Sequence, residues 1–202
     1  EMLRSLVGSE MCIRDRSVSL HKNLTVWSLM KYCIECGAKL TEKECINFGL
    51  SEGMIPYCPI CNEFRFPVYN TAVSMVIFNA DYSKSLLIQQ YGKKRNILVA
   101  GYVNKTESLE QALVREISEE INLDILDYKF NASEYFEKSN TLICNFIVRA
   151  KNEKFTLSQE VDYAEWYSIK NAKEVILKDS LAERFFDKAL AKVCKKDYLL
   201  SA

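Results

Sequence analysis

Apolar and polar positions change their rhythm at Pro67. Beyond it, segments of strand period and helix period alternate, as they do in an α/β domain. Residues 71–79 are apolar and β-branched and predict a strand. Residues 85–91 and 97–100 predict two more, separated by the polar turn 92–96. Residues 108–121 predict a helix. Leu109, Leu113, Ile117 and Ile121 recur every fourth position and form an apolar stripe. Ser108 and Gln111 have the spacing of a capping box, in which each side chain satisfies a backbone N–H at the helix start. Residues 141–148 predict a buried strand and 164–168 a short one. Residues 171–177 and 181–193 predict helices, the second with Phe185, Phe186, Leu190 and Val193 on one side.

The stretch before Pro67 has no such period. Residues 30–67 are rich in cysteine, glycine and turn residues. Residues 1–29 begin without methionine, and the text changes abruptly at Met30. The expected division is a leader foreign to the fold at 1–29, a small module at 30–68, and an α/β domain at 69–202. On this reading Met30 is the natural start. The single histidine, His21, belongs to the leader, which excludes a mechanism that needs one.

Composition adds exclusions. Lys plus Arg and Asp plus Glu both number 27, so the chain has no basic excess with which to coat nucleic acid. No run approaches the ~20 apolar residues of a spanning helix, and no compact apolar segment resembles a signal peptide. The expected location is the cytoplasm, with no membrane partner.

Four of the eight cysteines form two pairs, Cys33-Ile-Glu-Cys36 and Cys58-Pro-Ile-Cys61. Each pair sets two thiolates on one tight knuckle, and two knuckles complete the tetrahedral shell that Zn²⁺ prefers. Four thiolates leave no open position for water, so the expected zinc is structural. It would fold a module too small to build its own core. Cys45 is expected to be no ligand, Cys144 to fill core, and Cys194 to lie near a helix end.

The candidate chemistry lies in residues 101–123, GYVNKTESLEQALVREISEEINL. Glu116, Glu119 and Glu120 are spaced i, i+3, i+4, which puts three carboxylates on one helix face. That face is expected largely opposite the Leu109/Leu113/Ile117 stripe. Arg115 offers one countercharge; hard Mg²⁺ or Mn²⁺ would neutralise the rest. Taken alone, such a pattern also describes a solvated acidic face.

The whole segment resembles the Nudix box, G-x5-E-x7-R-E-U-x-E-E-x-G-U with U aliphatic. Gly101, Glu107, Arg115, Glu116, Ile117, Glu119, Glu120, Ile121 and Leu123 occupy its defined positions. The final glycine is Asn122, the next-best residue where a helix ends with positive φ. With the four-cysteine ribbon, RFPVYNTAV and AGYVNKTE, the chain resembles the NADH pyrophosphatase branch of the Nudix superfamily. The resemblance implies a Nudix α/β/α sandwich around a mixed sheet, preceded by the zinc ribbon, and a homodimer. It implies Mg²⁺ or Mn²⁺ held by Glu116, Glu119 and Glu120, with Glu160 of EVDYAEW an extra ligand. It implies Tyr102 stacking on a substrate base, and Ser139 as a substrate contact. Gly101, Glu107 and Arg115 would be structural.

The implied reaction is hydrolysis of the pyrophosphate in a nucleoside diphosphate linked to another group, best an NAD(H)-like dinucleotide giving NMN(H) and AMP. Alternative substrates are ADP-ribose, a nucleotide sugar, a nucleoside triphosphate or the capped end of an RNA. An alternative of another class is a ribbon–Nudix protein that only binds nucleotide or nucleic acid. The branch's S-Q-P-W-P-F-P-x-S element is absent; residues 134–145 read EYFEKSNTLICN. Broader base selectivity is therefore expected, with Tyr135 and Phe136 as positional candidates for a second pocket wall. Lys93, Lys94 and Arg95 are expected to lie in a loop, either reaching phosphate or simply solvated.

Overall fold

A computed structural model describes residues 30–194. Residues 1–29, with His21 and Cys12, lie outside the described residues. The chain divides into two compact units between Pro67 and Val68.

The first unit is a three-stranded antiparallel sheet of β1 (Thr41–Asn47), β2 (Leu50–Cys58) and β3 (Glu63–Phe64). The spacer between the two cysteine pairs is thus a hairpin, which turns at Phe48 and Gly49, both with positive φ. Of the described hydrophobic residues in this unit, Cys33, Ile55 and Cys58 are buried. So small a core cannot offset the entropy of ordering the segment and calls for a cross-link or a metal.

The second unit contains β4 (Asn70–Phe78), β5 (Lys84–Gln90), β6 (Val99–Tyr102), α1 (Leu109–Ile121), β7 (Ile125–Phe136), β8 (Thr141–Ala150), β9 (Val161–Ser168), α2 (Ile169–Val175) and α3 (Leu181–Val193). The sheet runs β7-β8-β4-β5-β9, and β6 also pairs with β4. It is mixed: β4 and β8 are parallel, and the remaining pairs are antiparallel.

Alternation along the strands divides the core into two layers. Val73, Met75 and Ile77 of β4 face α1 and pack with Leu113, Ile117 and Ile121. Val76 and Phe78 face the other way and pack with Ala172 of α2 and Phe185, Phe186 and Ala189 of α3. The result is the expected α/β/α sandwich.

Several elements differ from the sequence reading. The strand expected at 97–100 is Val99–Tyr102, because those residues pair with β4 while Ile97 makes only an isolated bridge to Ile88. The helix expected at 171–177 begins earlier, where the Ser168 side chain accepts the Asn171 N–H. The twelve-residue β7 carried no pattern to read. It is an edge strand, mostly half-buried and interrupted by two register shifts, so its residues do not alternate cleanly.

Candidate active site and cysteine centre

In α1, local sequence sets the helix ends. Ser108 accepts the Gln111 N–H at 3.2 Å, and the Gln111 side chain accepts the Ser108 N–H at 2.8 Å. At the other end Asn122 turns left-handed, with φ 43°, and its N–H returns to Ser118. The box departure at Asn122 is therefore absorbed by a residue that tolerates this conformation.

Glu116 and Glu120 do not lie opposite the apolar stripe; both are buried, at 9% and 5% exposure. At about 100° per residue, position 120 falls between 113 and 109 on the helical wheel, and position 116 flanks it. Only Glu119 projects towards solvent, its side chain 61% exposed. The acidic face is the border of the packed face.

Arg115 organises this border. Its Nε donates to Glu107 Oε1 at 2.7 Å, and Nη2 donates to Glu107 Oε2 at 3.0 Å and to the Tyr102 carbonyl at 2.9 Å. Nη1 donates to Glu116 at 2.7 Å and Glu119 at 2.9 Å. Glu107 also accepts the Asn104 N–H at 2.9 Å, so one carboxylate ties the loop before α1 to the helix. The guanidinium beside Glu107 holds its carboxyl below the usual range.

A cleft of about 490 Å³ opens over these groups. Its lining includes Glu116, Glu119, Glu120 and Arg115 of α1, and Gly101 and Tyr102 of β6. Glu160, just before β9, and Ser139, before β8, also line it. Tertiary structure thus brings Ser139 and Glu160 to the same cleft as the box glutamates. Three residues that the sequence reading missed line the same cleft: Tyr91, Asn104 and Thr141. Thr141 is buried, and its hydroxyl lies 2.8 Å from that of Ser139. Tyr91 and Thr141 sit at strand ends outside any motif, so only the fold reveals them, whereas Asn104 occupies an undefined position of the box.

Other expected contributors lie elsewhere. Tyr135 donates to Asn140 at 2.6 Å and packs edge-on to Tyr69; neither Tyr135 nor Phe136 lines the cleft. Lys93 and Lys94 line a separate depression with Gln89, Asp162, Tyr163 and Tyr167.

Glu120 is the most constrained carboxylate. Burial pushes its carboxyl up to about 7, with Glu116 and Glu160 adding to the effect and Gln90 opposing it. Glu120 Oε2 is buried and has no hydrogen-bond partner; the Gln90 amide nearby does not complete a bond either. A buried, unpaired carboxylate oxygen beside three more carboxylates fits a hard divalent cation.

The cysteines form a tighter cluster. All four sulfur atoms of Cys33, Cys36, Cys58 and Cys61 lie within 4.8 Å of one another, and among the described residues theirs is the group that converges in this way. The Cys36–Cys58 and Cys33–Cys61 separations are 3.5 and 3.9 Å. These are too long for a disulfide. They match the edge of about 3.8 Å expected for a tetrahedron with Zn–S of about 2.3 Å. Gly37 and Asn62 turn left-handed after each pair, and their N–H groups return to Cys33 and Cys58. Arg65 donates to Cys33 Sγ at 3.2 Å, which pulls that thiol down to about 6.

The NUDIX domain family model matches residues 68–188, more than half of the chain. The chain belongs to the Nudix family. Its curated relatives include the NAD-capped RNA hydrolase NudC of Stutzerimonas stutzeri, 23% identical over 163 residues. That match covers 80% of this chain and 56% of the relative, so the chain spans little more than half of that protein's length. Among solved structures, a Nudix hydrolase from Nitrosomonas europaea superposes with a TM-score of 0.54 at 18% identity, covering 80% of this chain and 93% of that one. The Nudix domain of Shewanella oneidensis NrtR, complexed with ADP ribose, superposes with a TM-score of 0.55 at 17% identity, covering 68% and 94%. At these identities the two structures speak for the Nudix fold alone.

Proposed function

We propose that the chain is a metal-dependent pyrophosphohydrolase acting on a nucleoside diphosphate linked to another group. The observation that carries this reading is the shared cleft of Glu116, Glu119, Glu120, Glu160 and Tyr102, with one buried glutamate oxygen left unpaired. Glu116, Glu119, Glu120 and Glu160 would hold Mg²⁺ or Mn²⁺ there, which would supply charge neutralisation at the pyrophosphate and help activate an attacking water. Glu119 or Glu160 orients that water and takes its proton. The water oxygen bonds to one phosphorus, the bridging P–O bond breaks, and the second phosphate leaves. Arg115 holds Glu116 and Glu119 in place, and Tyr102 offers its exposed ring to a base.

The best single substrate is an NAD(H)-like dinucleotide, free or at the 5′ end of an RNA. The ribbon, the AGYV segment and the NudC relatives support it. ADP-ribose is the first alternative, because the cleft lacks the branch's proline- and tryptophan-containing element. The four thiols hold structural Zn²⁺. The test is product analysis with NADH, NAD⁺, NAD-capped RNA, ADP-ribose, a nucleotide sugar and a nucleoside triphosphate. Release of NMN(H) and AMP at the best kcat/KM supports the dinucleotide. Faster cleavage of ADP-ribose or a triphosphate moves the protein to another substrate class, and no cleavage of any compound ends the hydrolase reading.

A further inference from the structure

Tyr102 has a part in the proposed chemistry, and Tyr91 has none. Both line the cleft of the four glutamates. The sheet topology explains why. Strands β5 and β6 both run antiparallel to β4, so their C-terminal ends emerge at the same edge of the sheet, beside the start of β4. Tyr102 ends β6 and Tyr91 directly follows β5. Strand β8 is parallel to β4 and begins at that edge with Thr141, opposite Asn70. One end of the sheet therefore presents two tyrosines and a hydroxyl pair above the glutamate cluster.

Tyr91 is 74% exposed and Tyr102 56% exposed. Neither ring packs on another aromatic ring among the described residues, unlike Tyr69 and Tyr135 nearby. Tyr91 is nonetheless held in place. It sits in a tight turn closed by Lys93 N–H on the Gln90 carbonyl, and both Tyr91 and Gly92 have positive φ. The Gly92 N–H donates to Asp162 of β9 at 2.6 Å. On the other side, Gln90 is buried against Glu120. A large aromatic ring thus stands in water at the cleft, on a turn hydrogen-bonded to β9 and preceded by buried Gln90.

We propose that Tyr91 is a base-recognition residue, supplying a second aromatic surface for the nucleobase whose first surface is Tyr102. The proposal rests on the nucleotide reading of the cleft. The ligand is a purine or pyrimidine nucleotide; Ser139, Thr141 and Asn104 supply polar groups for its edge. Stacking is tolerant of base identity, so two rings give affinity for nucleotides without strict choice among them.

The test compares wild type with Tyr91→Phe and Tyr91→Asn. Asn suits the left-handed turn better than Tyr, so this variant removes the ring while keeping the loop. Calorimetry measures binding of AMP and of ribose 5-phosphate, which lacks the base. Tyr91→Asn should weaken AMP about tenfold, in line with loss of one stacking partner, and leave ribose 5-phosphate unchanged. Tyr91→Phe should bind AMP as wild type does. With a hydrolysed nucleotide, Tyr91→Asn should raise KM and hold kcat. Unchanged AMP affinity in Tyr91→Asn, or equal weakening of both ligands, overturns the proposal. Failure of the hydrolase reading would look different: no turnover by wild type, with AMP still bound more tightly than ribose 5-phosphate.

Discussion

The Glu116 carboxylate occupies the space where residue 101 would carry its Cβ. A Cβ built on Gly101 would lie 1.9 Å from Glu116 Cδ and 2.0 Å from its Oε1. Glycine is needed here for the close approach, since Gly101 is not among the positive-φ positions. The absent side chain of β6 is what lets a helix carboxylate sit at the cleft floor.

Gly101→Ala should therefore separate activity from stability. The displaced atoms are the end of a flexible side chain, which can swing aside at little cost to folding. A ligand moved by an ångström is enough to reduce turnover about 100-fold. Hydrolysis and thermal midpoint, measured on one preparation, check this. Loss of folding or full activity would contradict the steric reading.

Glu119→Gln and Glu120→Gln should both abolish metal-dependent turnover, yet differ in stability. Glu120 is buried with an unpaired oxygen, and an amide there removes the cost of burying charge. In chelator, Glu120→Gln should raise the thermal midpoint, whereas Glu119→Gln, exposed and held by Arg115, should leave it nearly unchanged. Normal turnover by both variants would reduce the helix border to a structural acidic surface.

Arg115→Ala should be damaging beyond its charge. It removes five hydrogen bonds that join Glu107, Glu116, Glu119 and Tyr102. Partly buried Glu107 and Glu116 lose their partner, at a cost of about 1–3 kcal/mol. Arg115→Lys, a point charge without the planar fork, should restore only part of this. Denaturant unfolding of the two variants measures the difference.

Purified protein should contain about one zinc per chain, as a closed four-thiolate site requires. Cys58→Ser should lose it, and chelation should unfold residues 30–67 while leaving the Nudix unit folded, because that unit has its own two-layer core. Hydrogen exchange resolves the two regions. Retained zinc in Cys58→Ser would refute the ligand set.

What the sequence determined by itself was local. The capping box, the four-residue stripe and the left-handed Asn122 are set by neighbours within one or two turns, so they were legible along with the box itself. The two cysteine pairs were legible because metal geometry demands close spacing. Tertiary structure decided the rest. Edge strand β7 hid because one half of its surroundings is water. The helical period of α1 by itself puts Glu120 between Leu109 and Leu113, whereas the depth of its burial, beside Gln90 of β5 and Glu160, depended on the tertiary structure. Tyr91 and Thr141 became cleft residues only through strand order, which brings the end of β5 and the start of β8 to one edge of the sheet. Contacts between residues distant in sequence depend on pairings that no single segment encodes, and the walls of this cleft are built from such contacts.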